Sequence, residues 1–135
     1  MKERAVALII HGEHVLLLHR RKEGREYYAL PGGKLEAGES PENACIREAK
    51  EETGLTITLE RKLATLQNLG RTEHYYLAAT HEGIVHLGGP EKERNSPENY
   101  YAIAWVHVDR LEEINLLPSE TRPICIACVR ERATL

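Results

Sequence analysis

Apolar residues fall along this chain in blocks that predict strands more often than helices. Ala5 to Ile10 is an unbroken apolar run, and His14 to His19 is nearly so. Gly12-Glu13 separates them, which predicts a hairpin. Continuous rather than alternating runs indicate strands covered on both faces. Arg20 to Glu26 is charged and reads as a turn or loop, and Tyr27 to Leu30 as a short strand ending at Pro31-Gly32-Gly33. Ser40 is a good cap, Pro41 suits the first helical position, and Glu42 favours the positive helix end. They predict a helix to about Thr53, with Gly54 as its left-handed stop. Ile57 to Leu69, with a break near Arg61-Lys62, then Arg71 to Thr80 and Asn99 to Val108 read as strands. Between them, His81 to Glu98 reads as a long loop, a kind usually functional or mobile. Leu111 to Leu116 predicts a short helix and Ser119 to Arg132 a terminal one. Strands, one helix, more strands and a last helix imply helices packed on a mixed sheet.

Length and charge narrow the function classes. At 135 residues the chain is the size of one domain. A formal charge of −3 disfavours general binding to nucleic acid or anionic membranes. The longest apolar run is far below the roughly 18 residues of a membrane span. Met1-Lys2-Glu3-Arg4 carries an acid and opens no signal peptide, so a cytoplasmic location is expected. Cys45, Cys125 and Cys128 make an odd number, the pattern of reduced thiols. Cys125 and Cys128 read as small apolar residues on one helix face, because redox pairs usually open a helix after a strand.

The chemistry gathers between Gly33 and Leu55. Glu48, Glu51 and Glu52, at i, i+3 and i+4, share one face of the helix. Like charges at those spacings destabilise a helix by about 0.2–0.5 kcal/mol per pair. A hard divalent cation removes the repulsion, and oxygen-only ligation selects magnesium, manganese or calcium over zinc. Small Ala44 and Cys45, on or beside that face, leave room for something to approach. Arg47 is placed to orient a carboxylate. Gly32-Gly33 lets backbone come close to a metal or phosphate. Lys34 is a phosphate-pairing candidate, and Glu36 and Glu39 add oxygen donors.

Gly33-Lys-Leu-Glu-Ala-Gly-Glu39, seven further residues, then Arg47-Glu-Ala-Lys-Glu-Glu-Thr-Gly-Leu55 resembles the Nudix box, G-x5-E-x7-R-E-U-x-E-E-x-G-U with U a bulky aliphatic. Every fixed position matches; Ala49 is a small residue at the first U. The resemblance implies an α/β/α sandwich on a mixed sheet. It implies hydrolysis of a nucleoside diphosphate linked to a group X, with Mg2+ or Mn2+. Glu48, Glu51 and Glu52 would hold metal with the Gly33 carbonyl. Glu48 or Glu52 would assist the attacking water, Arg47 would hold a glutamate, Glu39 would support the site, and Lys34 would favour leaving-group departure. Some relatives use a further glutamate outside the box; Glu91, Glu93 and Glu98 are the candidates here. Many relatives pair as dimers, which leaves a homodimer open.

The rest of the substrate has fewer candidates. Arg20 and Arg71 are placed to reach phosphates. The tyrosines form adjacent pairs at 27–28, 75–76 and 100–101. Strand alternation sends one ring of each pair to each face, and Tyr75 is the candidate for stacking on a base. Trp105 reads as core, and the histidines as structural or surface groups. Gly70 stands where bacterial ADP-ribose hydrolases often have proline, which counts against that subtype. The expected partner is a small-molecule nucleotide, neither nucleic acid nor membrane. The competing readings are a non-catalytic nucleotide-sensing Nudix module and a plain structural domain with an acidic helix.

Overall fold

The computed structural model describes residues 2–88 and 96–134. Its strands are β1 (Lys2–Leu8), β2 (Ile10–His11), β3 (His14–Lys22), β4 (Arg25–Ala29), β5 (Gly32–Lys34), β6 (Thr56–Asn68), β7 (Arg71–Glu82) and β8 (Asn99–His107). Two helices, α1 (Pro41–Thr53) and α2 (Thr121–Ala133), accompany them. One sheet has the order β5-β1-β7-β6, with β1 and β7 parallel and the other pairs antiparallel. In the second, antiparallel sheet, β8 runs along one edge of β3, and β2 and β4 pair with its other edge. The expected mixed sheet is therefore one of two four-stranded sheets.

The doubly covered β1 explains its continuous apolar run. Ala5 and Ala7 face a cluster with Ala44, Cys45 and Ala49 of α1. Val6 and Leu8 face the opposite cluster, with Cys125, Cys128 and Val129 of α2. Small residues on both sides of the α1 seam let the helix lie close to the strand. Ala44 and Cys45 are buried there and leave no room for a ligand, contrary to the sequence expectation. Cys125 and Cys128 are free thiols in the core. Burial pushes the Cys125 thiol up to about 12, so it stays protonated and inert at neutral pH.

Helix α1 has the expected ends. The Ser40 hydroxyl accepts from the Asn43 N–H at 3.1 Å. Gly54 takes a left-handed φ of 82°, and its N–H donates to the Lys50 carbonyl at 3.0 Å. The segment after β7 completes the cap: the N–H groups of His86 and Gly88 donate to the carbonyls of Thr53 and Glu52. These bonds satisfy helix-end carbonyls that would otherwise be orphaned.

Three sequence expectations differ. Arg20 to Glu26 is no loop: β3 and β4 continue through it and turn at Glu23-Gly24, whose φ values are 52° and 78°. Two positive φ values match the twist of a tight hairpin. Leu111 to Leu116 is not a helix. A single 3-10 turn covers Val108–Arg110, and the backbone then bonds to Tyr28, from whose N–H Asn115 accepts and to whose carbonyl Leu117 donates. Trp105 is only partly buried, ringed by His11 and His81 at 5.6 and 5.5 Å. The break near Arg61-Lys62 appears as register shifts within an otherwise continuous β6.

Gly54 carries two separate demands. A Cβ there would lie 2.6 Å from the His86 ring and from the Ile84 carbonyl oxygen, besides the left-handed φ. Gly54→Ala should lower the melting temperature by several degrees, since a non-glycine residue in that conformation costs about 1–2 kcal/mol before any crowding. Unchanged thermal melting would show that the helix stop does not constrain the fold.

Candidate active site

Strand β5, the loop after it and α1 place the acidic groups together. β5 is hydrogen-bonded to β1 through the pairs Arg4–Lys34, Ala5–Gly33 and Val6–Gly32. This pairing holds the glycine turn against α1. A Cβ on Gly33 would overlap the Glu48 carboxyl, so only glycine lets that carboxylate lie against the strand. Gly32 is crowded by Ala5 and Val6 in the same way, and its N–H donates to Glu52 Oε1 at 3.1 Å. Glu52 is buried beneath the turn.

Arg47 joins the other acids. Its Nε and Nη2 donate to the two Glu39 oxygens at 2.8 and 2.9 Å, a bidentate pair. Nη1 donates to Glu48 Oε1 at 2.9 Å and to Glu51 Oε2 at 3.2 Å. Nη2 also donates to the Lys34 carbonyl at 3.0 Å, and Glu36 lies 3.7 Å from Nη1. One guanidinium thus ties loop to helix. The hydrogen bonds from Arg47 hold the Glu39 carboxyl down at about 2. Burial has the opposite effect on Glu48 and pushes it up, against the pull of Arg47. The Glu51 side chain is half exposed.

This donor set fits a hard dication. Glu39, Glu48, Glu51 and Glu52 bring four negative charges against one from Arg47, and every donor is oxygen. Among the described residues no three His, Cys, Asp or Glu groups already converge on one point. Glu48 and Glu51 instead meet through Arg47.

The remaining candidates are spread out. Lys34 projects from β5 and is exposed. The Arg20 guanidinium lies 4.0 Å from the Tyr101 ring centroid and donates to Asn99 Oδ1 at 2.9 Å, on the other sheet. Tyr75 does not face a cleft. It is a core ring 2% exposed, and its hydroxyl donates to Glu73 at 2.8 Å. The alternation held for its pair, but the inward ring is fully covered by α2-side packing. Arg71 forms an ion pair with the buried Glu73 at 3.5 Å. Glu98 is exposed ahead of β8, and Glu91 and Glu93 lie outside the described residues. The sequence reading passed over Glu73 and Arg4, which meet at 3.5 Å. Their signal was an acid at an inward position of β7, two residues before Tyr75.

The Nudix domain model matches residues 1–125. The chain belongs to the Nudix family. A MutT-like protein of Streptomyces ambofaciens is 32% identical over 116 residues, 81% of this chain and 66% of that one. The 8-oxo-dGTP diphosphatase of Escherichia coli is 39% identical over 61 residues, 42% of this chain and 47% of that one. The chain thus spans about two thirds of the first relative and under half of the second. The solution structure of the E. coli ORF135 protein superposes with a TM-score of 0.74 at 24% identity, over 99% of this chain and 92% of that one. That likeness establishes the Nudix fold of two helices on mixed sheets. Family and named relatives make this Nudix chain a hydrolase of phosphorus-containing anhydrides.

The Arg47–Glu39 pair has a pH signature. Glu39 is held below its unfolded value of 4.5, so its stabilisation is complete above that pH and lost as pH falls toward about 2. Glu39→Gln should therefore melt below wild type at pH 6, with the gap closing between pH 4.5 and 2.5. A gap independent of pH would contradict the ion-pair origin.

Proposed function

We propose that the chain hydrolyses a pyrophosphate bond in a nucleoside diphosphate linked to a group X, with Mg2+ or Mn2+ held by Glu48, Glu51, Glu52 and the Gly33 carbonyl. Nucleoside triphosphates, dinucleoside polyphosphates and nucleotide sugars are the candidate substrates. The name of the E. coli relative adds oxidised purine triphosphates to that group. The observation that carries the reading is the packing of Glu48 against Gly33, with Glu52 anchored on the next backbone N–H. It sets two carboxylates against the glycine turn.

Bound divalent metal supplies charge neutralisation and an acidified water. The residues supply the rest. Arg47 ties Glu39, Glu48 and Glu51 to the loop, which keeps these donors near one another before a metal draws them together. Glu52, buried and hydrogen-bonded to Gly32, has the most fixed position of the acids. Glu48 or Glu52 would accept a proton from the attacking water. Exposed Lys34 is placed to offset charge on the departing phosphate. Most of the rate enhancement then comes from positioning and electrostatics. With this reading goes the expectation of a cytoplasmic enzyme that acts on small molecules, as a monomer or a homodimer.

Glu52→Gln is the decisive variant. It should lower kcat by at least a hundredfold on whichever member of a nucleotide panel the wild type cleaves, with products identified by mass. It should also weaken Mn2+-dependent thermal stabilisation, since a ligand that binds only the folded state raises its stability. Retained turnover in Glu52→Gln would overturn the assignment. Tight nucleotide binding without turnover in saturating Mg2+ would favour the sensing module.

A further inference from the structure

The end of α1 that carries Glu51 and Glu52 is held from outside the helix. Residues 83–88, which follow β7, lie against it. The N–H of His86 donates to the Thr53 carbonyl at 2.9 Å, and that of Gly88 to the Glu52 carbonyl at 3.1 Å. Gly88 is buried, and a Cβ there would overlap the Glu51 carbonyl oxygen, so only glycine lets the two backbones come this close. The His86 ring and the Ile84 carbonyl lie against Gly54. This strap therefore touches the backbone of every residue from Glu51 to Gly54.

The strap has few side chains to hold it in place. Ile84 is 83% exposed, His86 is exposed, and Val85 and Leu87 are only partly buried. Segments with few buried apolar contacts open locally without unfolding the whole chain. The helix turn beneath depends on it, because the last carbonyls of a helix have no partners within the helix. That turn carries two of the three glutamates proposed to hold the cation. Glu51 is half exposed and meets Arg47 at 3.2 Å, so its place is set largely by its own backbone. Glu52 bridges the strap and the glycine turn, with its carbonyl on Gly88 and its carboxylate on the Gly32 N–H.

We propose that residues 86–88 position Glu51 and Glu52 for the metal, so that closure of the strap and cation binding strengthen each other. The proposal rests on the metal-dependent hydrolase reading. His86 and Gly88 are positioning residues, acting through the backbone of the two glutamates. The coupling is reciprocal: the factor by which a closed strap tightens cation binding is the factor by which bound cation stabilises the closed strap. For contacts confined to one helical turn that factor should be about tenfold, toward the low end of the usual range.

Two measurements on the full chain test this, with Mg2+ or Mn2+ as the only ligand. In the wild type, Mg2+ should slow amide exchange at His86 and Gly88 by about tenfold and then level off, because the open strap still leaves a weaker cation site. No slowing would overturn the proposal. So would slowing that never levels off, since the strap would then open only with the whole fold. Gly88→Ala, which crowds the Glu51 carbonyl, should bind Mn2+ about tenfold more weakly by electron paramagnetic resonance. Its turnover at limiting Mg2+ should recover in excess Mg2+, which a merely destabilised protein would not show. Val129→Ala, a truncation in the core cluster on the α2 side, should lower the melting temperature and leave Mn2+ affinity unchanged. Wild-type affinity in Gly88→Ala, or an equal loss in Val129→Ala, would overturn the proposal. Should Gly88→Ala fail to fold, the wild-type exchange decides alone. No saturable Mn2+ binding to the wild type would overturn the metal reading and this proposal with it. Coupling of strap and cation without hydrolysis would count against the hydrolase reading alone. Hydrolysis with no coupling would count against this proposal alone.

Discussion

The Arg47 guanidinium is the constraint on which the rest of the site depends. It donates to Glu39, Glu48 and Glu51 and to the Lys34 carbonyl, so a helix and the loop before it become one unit. Without it, the acids on α1 would repel one another and the loop would be held by little more than β5. Lysine could not replace this arrangement. Its ammonium is a point charge, whereas a planar fork serves four groups in fixed directions.

The unit is placed by close packing more than by charge. Ala5 and Ala7 on β1, with Ala44, Cys45 and Ala49 on α1, bring the helix to the mixed sheet without bulky side chains between them. That approach makes glycine obligatory at position 33, where Glu48 occupies the space of a side chain. Glycine is required again at position 54, where His86 and Ile84 close over the helix end. The family's fixed glycines are thus tied to packing contacts of its fixed glutamates and their helix.

Much of this was legible in the chain. Ser40, Pro41 and Gly54 mark helix ends by local chemistry, and those ends lie where they were read. The acidic spacing pointed to a candidate face because repulsion within a helix has no folding benefit. What failed depended on tertiary context. The charged run Arg20 to Glu26 concealed a hairpin whose turn needs only two residues of positive φ. Leu111 and Leu116 are buried, and between them the backbone is drawn to β4, where Asn115 accepts from Tyr28, instead of closing helical turns. Ala44 and Cys45 looked like open space because their size was visible and their packing partners were not. Tyr75 was read as a stacking surface for want of knowing which face α2 covers. Glu73 was passed over because a single acid carries no pattern until Arg4 comes from another strand to join Arg71 beside it.

The central claim is that the carboxylates Arg47 ties to the loop bind a divalent cation. The most direct measurement is the Mn2+ dissociation constant of wild type and Arg47→Lys, followed by electron paramagnetic resonance of the free ion. The account predicts saturable binding to the wild type and at least tenfold weaker binding to a folded Arg47→Lys. Equal affinities in the two proteins, or no saturable binding to the wild type, would contradict it.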